Sequence, residues 1–248
     1  MRRTGLFFHS PAGRRAAAIL LLLTFVGMAG FVRHSVHLGL GGLLHDLSGR
    51  SPFYAPGAPV LNLIMFVHML TGAALSVLAP LQLVDPIRRR WPGYHRWSGR
   101  VTVGLGLFTA FGGVTYALTR GAIGGPFMNA ASTLYGTLML IAAVVTYQTA
   151  RQREWARHRR WGWRLTVLVM ASWLYRMHYV IWDRIADGYG TTPDGTGPFD
   201  RFQAWAFYLS YLVMLEILLF RERSAPRPKA PVPPKSLRLT APLRRMIR

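Results

Sequence analysis

Charged residues in this chain fall in blocks, and the blocks are separated by apolar stretches of roughly 17–25 residues. That is the length a helix needs to cross about 30 Å of hydrocarbon at about 1.5 Å per residue. Six such stretches run over 16–33, 60–84, 101–119, 129–150, 163–183 and 202–220. A soluble domain of 248 residues could not bury several helices that are hydrophobic on every side. The pattern predicts an all-α, polytopic membrane protein with six transmembrane helices. Residues 1–220 form a single transmembrane helical domain with its core at 60–183. Residues 221–248 alternate Pro with Arg and Lys, lack a packable apolar face, and are expected to be a disordered tail on anionic headgroups.

The charge is strongly one-sided, +21 overall, and its distribution sets an expected orientation. Arg2, Arg3, Arg14 and Arg15 precede the first span, Arg88, Arg89, Arg90, Arg96 and Arg100 lie around the second connection, and Arg151, Arg153, Arg157, Arg159, Arg160 and Arg164 around the fourth. Alternating spans put all of these on one side, while Asp46, Asp183, Asp187, Asp194 and Asp200 fall on the other. By the positive-inside rule both termini are cytoplasmic, in a bacterial inner membrane. Arginines that flank apolar spans point to anionic lipid as the partner and not to nucleic acid. The first span has the basic start and small residues (Ala29, Gly30) of a signal peptide, but the alternation works best if it is retained as an anchor. The outer segment 34–59, rich in Gly, Pro and His, reads as a long loop with room for an interfacial helix. With no cysteine there are no disulfides, thiolate metal sites or iron–sulfur clusters.

One phrase occurs twice. His95-Arg96-Trp97-Ser98-Gly99-Arg100-Val101-Thr102-Val103 returns as His158-Arg159-Arg160-Trp161-Gly162-Trp163-Arg164-Leu165-Thr166-Val167, with one residue inserted. Each copy leads into an apolar span, so spans two and three pair with spans four and five. The expected result is a four-helix core built from a duplicated helix pair, with a pseudo-two-fold axis along the membrane normal and the first and last spans peripheral. Met65, His68, Gly72, Ser76 and Ala79 share one helical stripe, as do Gly106, Ala110 and Gly113. Small and polar residues on one stripe mark a helix contact in lipid, which turns His68 into the bundle.

Three places resemble a known family of bacterial membrane proteins, domain of unknown function 2306. His68 and Gly72 followed by Ala79-Pro80-Leu81-Gln82 look like its histidine helix and Gly-Pro-x-Gln-like turn, with Ala79 where glycine is more usual. His95 to Arg100 is close to its His-Arg-x-x-Gly-Arg. His158 to Arg164 followed by Arg176 resembles its His-Arg-Arg-Trp-x-x-Arg helix with a later buried arginine. The resemblance covers spans two to five and implies a fold without an established activity.

Several polar residues are candidates for a site. His68 is an ionisable group inside a span, which is a functional hypothesis in itself. Arg176 at mid-span costs about 2.5–3.5 kcal/mol on insertion scales, so it needs a carboxylate, a ligand anion or water; Asp183, on the same face, is one candidate partner, and a ligand clamp is the equal alternative. His178 points about 200° away from Arg176 and so toward a peripheral helix or the outer surface. His95 and His158 lie near the first turns of their spans, where histidine, tryptophan and arginine serve equally as interfacial anchors and as ligands. Arg96, Arg100, Arg159 and Arg164 are expected to contact headgroups or other anions, and Glu216 to pair with Arg164 or Arg221. His34, His37 and His45, beside Asp46, could hold a divalent metal or stand solvated in a loop.

No hydrolase elbow, phosphate loop, zinc-protease motif or facing carboxylate pair is present, which argues against soluble-type hydrolysis. Three readings follow. The first is a b-type haem carried between His68 and His178, or between His95 and His158, for transmembrane electron transfer, with arginines on the propionates. The second is binding or transport of an anionic small molecule or lipid by His68 and Arg176. The third is a non-catalytic membrane subunit, in a homo-oligomer or with a partner protein.

Overall fold

A computed structural model describes residues 11–224. Residues 1–10 and 225–248, and with them most of the tail expected to be disordered, lie outside the described residues. The described residues form seven helices: α1 (Pro11–Leu44), α2 (Pro59–Gln82), α3 (Asp85–Arg90), α4 (Pro92–Arg120), α5 (Gly125–Arg151), α6 (Trp155–Ala186) and α7 (Pro198–Ser224). Proline in the first turn opens α2, α3, α4 and α5. Its missing N–H has no helical partner there, so it starts a helix at no cost. Gly121 (φ +87°) closes α4 and Gly124 (φ +95°) precedes α5. Gly124 packs so closely on the α6–α7 link that a Cβ would lie 2.7 Å from the Gly195 carbonyl.

Five helices are long and apolar enough to cross a membrane: α1 from Ala18, then α2, α4, α5 and α7. The expected fifth span corresponds to α6, whose 32 residues suffice in length. It is not among the five because even its most apolar stretch, between Arg164 and Asp183, contains Arg176, His178 and two tyrosines. Chain neighbours pack on each other: α1 on α2, α2 on α4, α4 on α5, α5 on α6 and α6 on α7. α6 also returns to α2, α7 touches α5, and α1 meets α6 lightly. Small residues make these approaches close. Gly106 faces Ala143 and Leu165, Gly72 faces Thr109, and a Cβ on Gly136 would lie 2.5 Å from Val114. The buried core runs through Leu75, Ala110, Met139, Ala143, Leu168 and Tyr208.

The segment after residue 33 departs from expectation. It is no loop with a separate interfacial helix, because α1 continues unbroken to Leu44. Its glycines are helix–helix contacts: a Cβ on Gly39 would lie 2.8 Å from Leu70, and one on Gly42 2.3 Å from the Phe66 ring. The remaining connection is short and tied down. Asn62 Oδ1 accepts from the Ala55 N–H (2.7 Å), and Tyr116 Oη donates to the Phe53 carbonyl (2.9 Å).

Candidate functional site

His68 sits where its stripe placed it, between α2 and α4. Its Nδ1–H donates to the Thr109 carbonyl at 2.6 Å. One turn on, Thr109 Oγ1 donates to Thr71 Oγ1 at 2.9 Å, so two side chains clamp the helices at this level. Gly113 makes the approach feasible, since a Cβ there would stand 3.0 Å from His68 Cε1. With the Nδ1 proton committed to a carbonyl, Nε2 carries the lone pair. It makes no hydrogen bond to any described residue.

Arg176 is exposed on α6, within electrostatic reach of His68 and of the Tyr135 and Tyr175 phenols. It does not extend toward the nearer end of α6. Nη1 donates back to the Ser172 carbonyl (3.1 Å), one turn deeper, and the guanidinium lies over the Phe31 ring of α1 at 4.9 Å. Of the two readings, the pair with Asp183 is not formed. Asp183 is exposed, and among the described residues Arg176 has no carboxylate within ion-pair distance. Tyr135 Oη donates to the Leu168 carbonyl (2.7 Å) on the same helix.

His178 faces α7, away from Arg176, as the helical angle required. Gln203 Nε2 donates to its Nδ1 (2.7 Å), and its Nε2–H donates to Tyr211 Oη (2.8 Å). Both ring nitrogens are occupied, and the ring stacks on Tyr211. His68 and His178 therefore do not form an axial pair.

The arginine-rich ends of the helices gather together. His95 and His158 lie within electrostatic reach of each other, with Arg88 and Arg96 beside His95. The repeated histidines are not equivalent: His158 Nδ1–H donates to the Thr146 carbonyl (2.9 Å), whereas His95 Nδ1 is buried without a partner. Arg164 makes the expected pair with Glu216 through Nε (2.6 Å) and Nη2 (2.8 Å), and stacks on Trp161. Arg159 pairs with Glu222, while Arg96 and Arg100 are exposed and form no ion pair among the described residues.

The family model described as a predicted membrane protein, DUF2306, matches residues 65–193. The chain belongs to the DUF2306 family. The DUF2306 match begins in α2 and ends in the α6–α7 link, so it contains His68, His95, His158, Arg176 and His178. It leaves out Phe31 on α1 and Gln203, Tyr211 and Asp200 on α7. No curated protein and no solved structure matches the chain.

Outside the DUF2306 match, His34 and His37 lie on α1 and line a shallow surface pocket with Gly30 and Arg33. His45 follows the helix end. Among the described residues no group of three or more His, Cys, Asp or Glu side chains could hold a metal ion, so the metal alternative for His34, His37 and His45 does not assemble. Reading the sequence missed three residues that matter here. Thr109 could have been found, since it lies one position from Ala110 in the small-residue stripe. Phe31 and Ser172 carry no sequence signal, because one is an ordinary apolar residue and the other acts through its backbone.

Proposed function

We propose that this protein binds an anionic ligand within the membrane, with Arg176 as its charged contact and His68 beside it. One observation carries the reading: a guanidinium at mid-helix, exposed on the side of the bundle and held by a backbone carbonyl and an aromatic face, has no carboxylate among the described residues. An intramembrane arginine needs a counter-charge, and an anion supplied from outside the chain meets that need. His68 Nε2 is an acceptor in the neutral ring.

We also take the ring of α2, α4, α5 and α6 as a four-helix core derived from a duplicated pair, α6 as a sixth span, and both termini as cytoplasmic. The packing order and the gathered arginines support this arrangement. The haem reading has lost its support at the outer pair, where both nitrogens of His178 are already bonded.

Native mass spectrometry of the purified protein tests the reading. The parent should retain an anionic adduct that Arg176→Leu loses. An adduct equally abundant in both would refute it.

A further inference from the structure

A ligand can approach Arg176 from water or from lipid, and the course of α1 favours lipid. α1 meets α6 at two levels, where Trp173 Nε1 donates to the Gly27 carbonyl (3.2 Å) and where Arg176 lies over Phe31. Beyond Phe31, α1 leans on α2. Ser35 is buried, and Gly39 and Gly42 press on Leu70 and Phe66. Beyond Arg176, α6 shows Val180, 54% exposed, and among the described residues no hydrogen bond or ring contact joins it to α1 past that level. Arg176 and Val180 are both exposed, so the guanidinium is open to the side of the bundle at the level where the α1–α6 contacts end. Gly30, next to Phe31, is exposed as well, and a Cβ there would meet nothing within 4 Å.

Depth points the same way. Arg176 lies seven residues before Asp183, or roughly 10 Å along the helix, and its bond to the Ser172 carbonyl draws the guanidinium about one turn deeper. A headgroup brought there must have few polar atoms, because those left unpaired in hydrocarbon are costly. A carboxylate has only two oxygens, and the planar fork of an arginine can satisfy both. Phe31, Trp173 and Val180 offer apolar surface to a chain.

We propose that Arg176 receives a lipophilic carboxylate, a long-chain acid, that enters sideways from the bilayer between α1 and α6. This rests on the anion-binding reading above and adds a ligand class and a route.

The test measures oleate binding to the purified full chain in detergent by native mass spectrometry, with acetate and phosphatidylglycerol as comparison probes. Oleate should bind with a stoichiometry of one, Arg176→Gln should weaken it about tenfold or more, and Arg176→Lys should fall between. Gly30→Trp, at a position where a Cβ would meet nothing within 4 Å, should crowd the approach between α1 and α6 and slow oleate uptake about fivefold or more, a size set by steric narrowing of the route. Acetate competing as well as oleate would overturn lateral entry in favour of a water route. Phosphatidylglycerol binding in place of oleate would overturn the carboxylate assignment. Unchanged oleate binding in Arg176→Gln would overturn the anion-binding reading itself. Loss in Arg176→Gln with unaltered uptake in Gly30→Trp would keep the site and refute the route.

Discussion

Asp200 is the carboxylate on which the far end of the bundle depends, and its removal gives the largest effect the packing allows. It sits in the first turn of α7 and is 2% exposed. Oδ2 accepts the backbone N–H groups of Thr192 and Gly197, both at 3.0 Å, and Oδ1 accepts the Tyr179 hydroxyl at 2.8 Å. Asp200→Ala leaves the Thr192 N–H without a partner and the Tyr179 hydroxyl without its acceptor, while the Gly197 N–H keeps Thr192 Oγ1 (3.0 Å). Each buried unsatisfied group costs about 1–3 kcal/mol, so we expect a loss of about 2–6 kcal/mol. Asp200→Asn keeps an oxygen for the backbone pair and turns its amide toward a hydroxyl that can accept, so it should cost about 1–2 kcal/mol. Denaturant unfolding in micelles, followed by tryptophan fluorescence, measures the order, and proteolysis within 187–197 reports the local opening. Asp194→Ala, an exposed acid on the same link, is the control. If Asp200→Ala unfolds alongside that control, the hub assignment is wrong.

Three further outcomes follow from particular contacts. Gly42→Ala puts a methyl 2.3 Å from the fully buried Phe66 ring and should cost about 1–3 kcal/mol, whereas Gly30→Ala on the same helix should gain about 0.5–1 kcal/mol; equal thermal shifts for the two would contradict the α1–α2 packing. Tyr211→Phe strands the His178 Nε2–H and should destabilise by about 1–3 kcal/mol, seen as earlier unfolding, while an unchanged transition would mean the proton sits elsewhere. The Thr192 and Thr196 hydroxyls beside Asp194 hold its carboxyl below the usual carboxylate range. With the folded value depressed, their contribution is present above the unfolded value and fades as pH falls through the folded one. Carboxyl-labelled NMR should therefore give a midpoint below that of an unstructured aspartate, rising in Thr192→Val.

Side-chain direction on helices was the legible part. A stripe at three- and four-residue spacing turned His68 into the bundle, the 200° offset turned His178 away from Arg176, and the place of Glu216 about a turn inside the end of the last span put it within reach of Arg164 or Arg221. Each depends only on helical angle and rise, which the sequence carries locally. The misreadings have a shared cause in tertiary context. Leu38-Gly39-Leu40-Gly41-Gly42 has poor helix propensity and reads as loop, but its glycines serve an interface whose other half, Phe66 and Leu70, lies elsewhere in the chain. Asp200 read only as one of five aspartates on one side of the membrane, because its partners belong to a loop conformation. Asp183, two turns away on the same helix, was one candidate partner for Arg176; the side chain turns instead toward Ser172 and across to Phe31.

α6 is the long helix least suited to lipid, and it packs on α2, α5 and α7 and touches α1. That enclosure lets its polar side chains find partners: Arg164 has Glu216, His178 has Gln203 and Tyr211, and Tyr179 has Asp200. Arg176 is different. Nothing in its packing needs a charge, since a leucine would cover Phe31 as well, and removing the guanidinium would relieve an insertion cost of about 2.5–3.5 kcal/mol. A purely structural arginine and a ligand-binding one thus differ in sign. Arg176→Leu should leave the protein as stable as the parent or more so in ligand-free micelles, while capture of the anionic adduct falls. Both quantities come from one preparation, by unfolding and by native mass spectrometry. A large loss of stability in the absence of ligand would show that the carbonyl and ring contacts hold α1 to α6, and would leave the charge with a structural role.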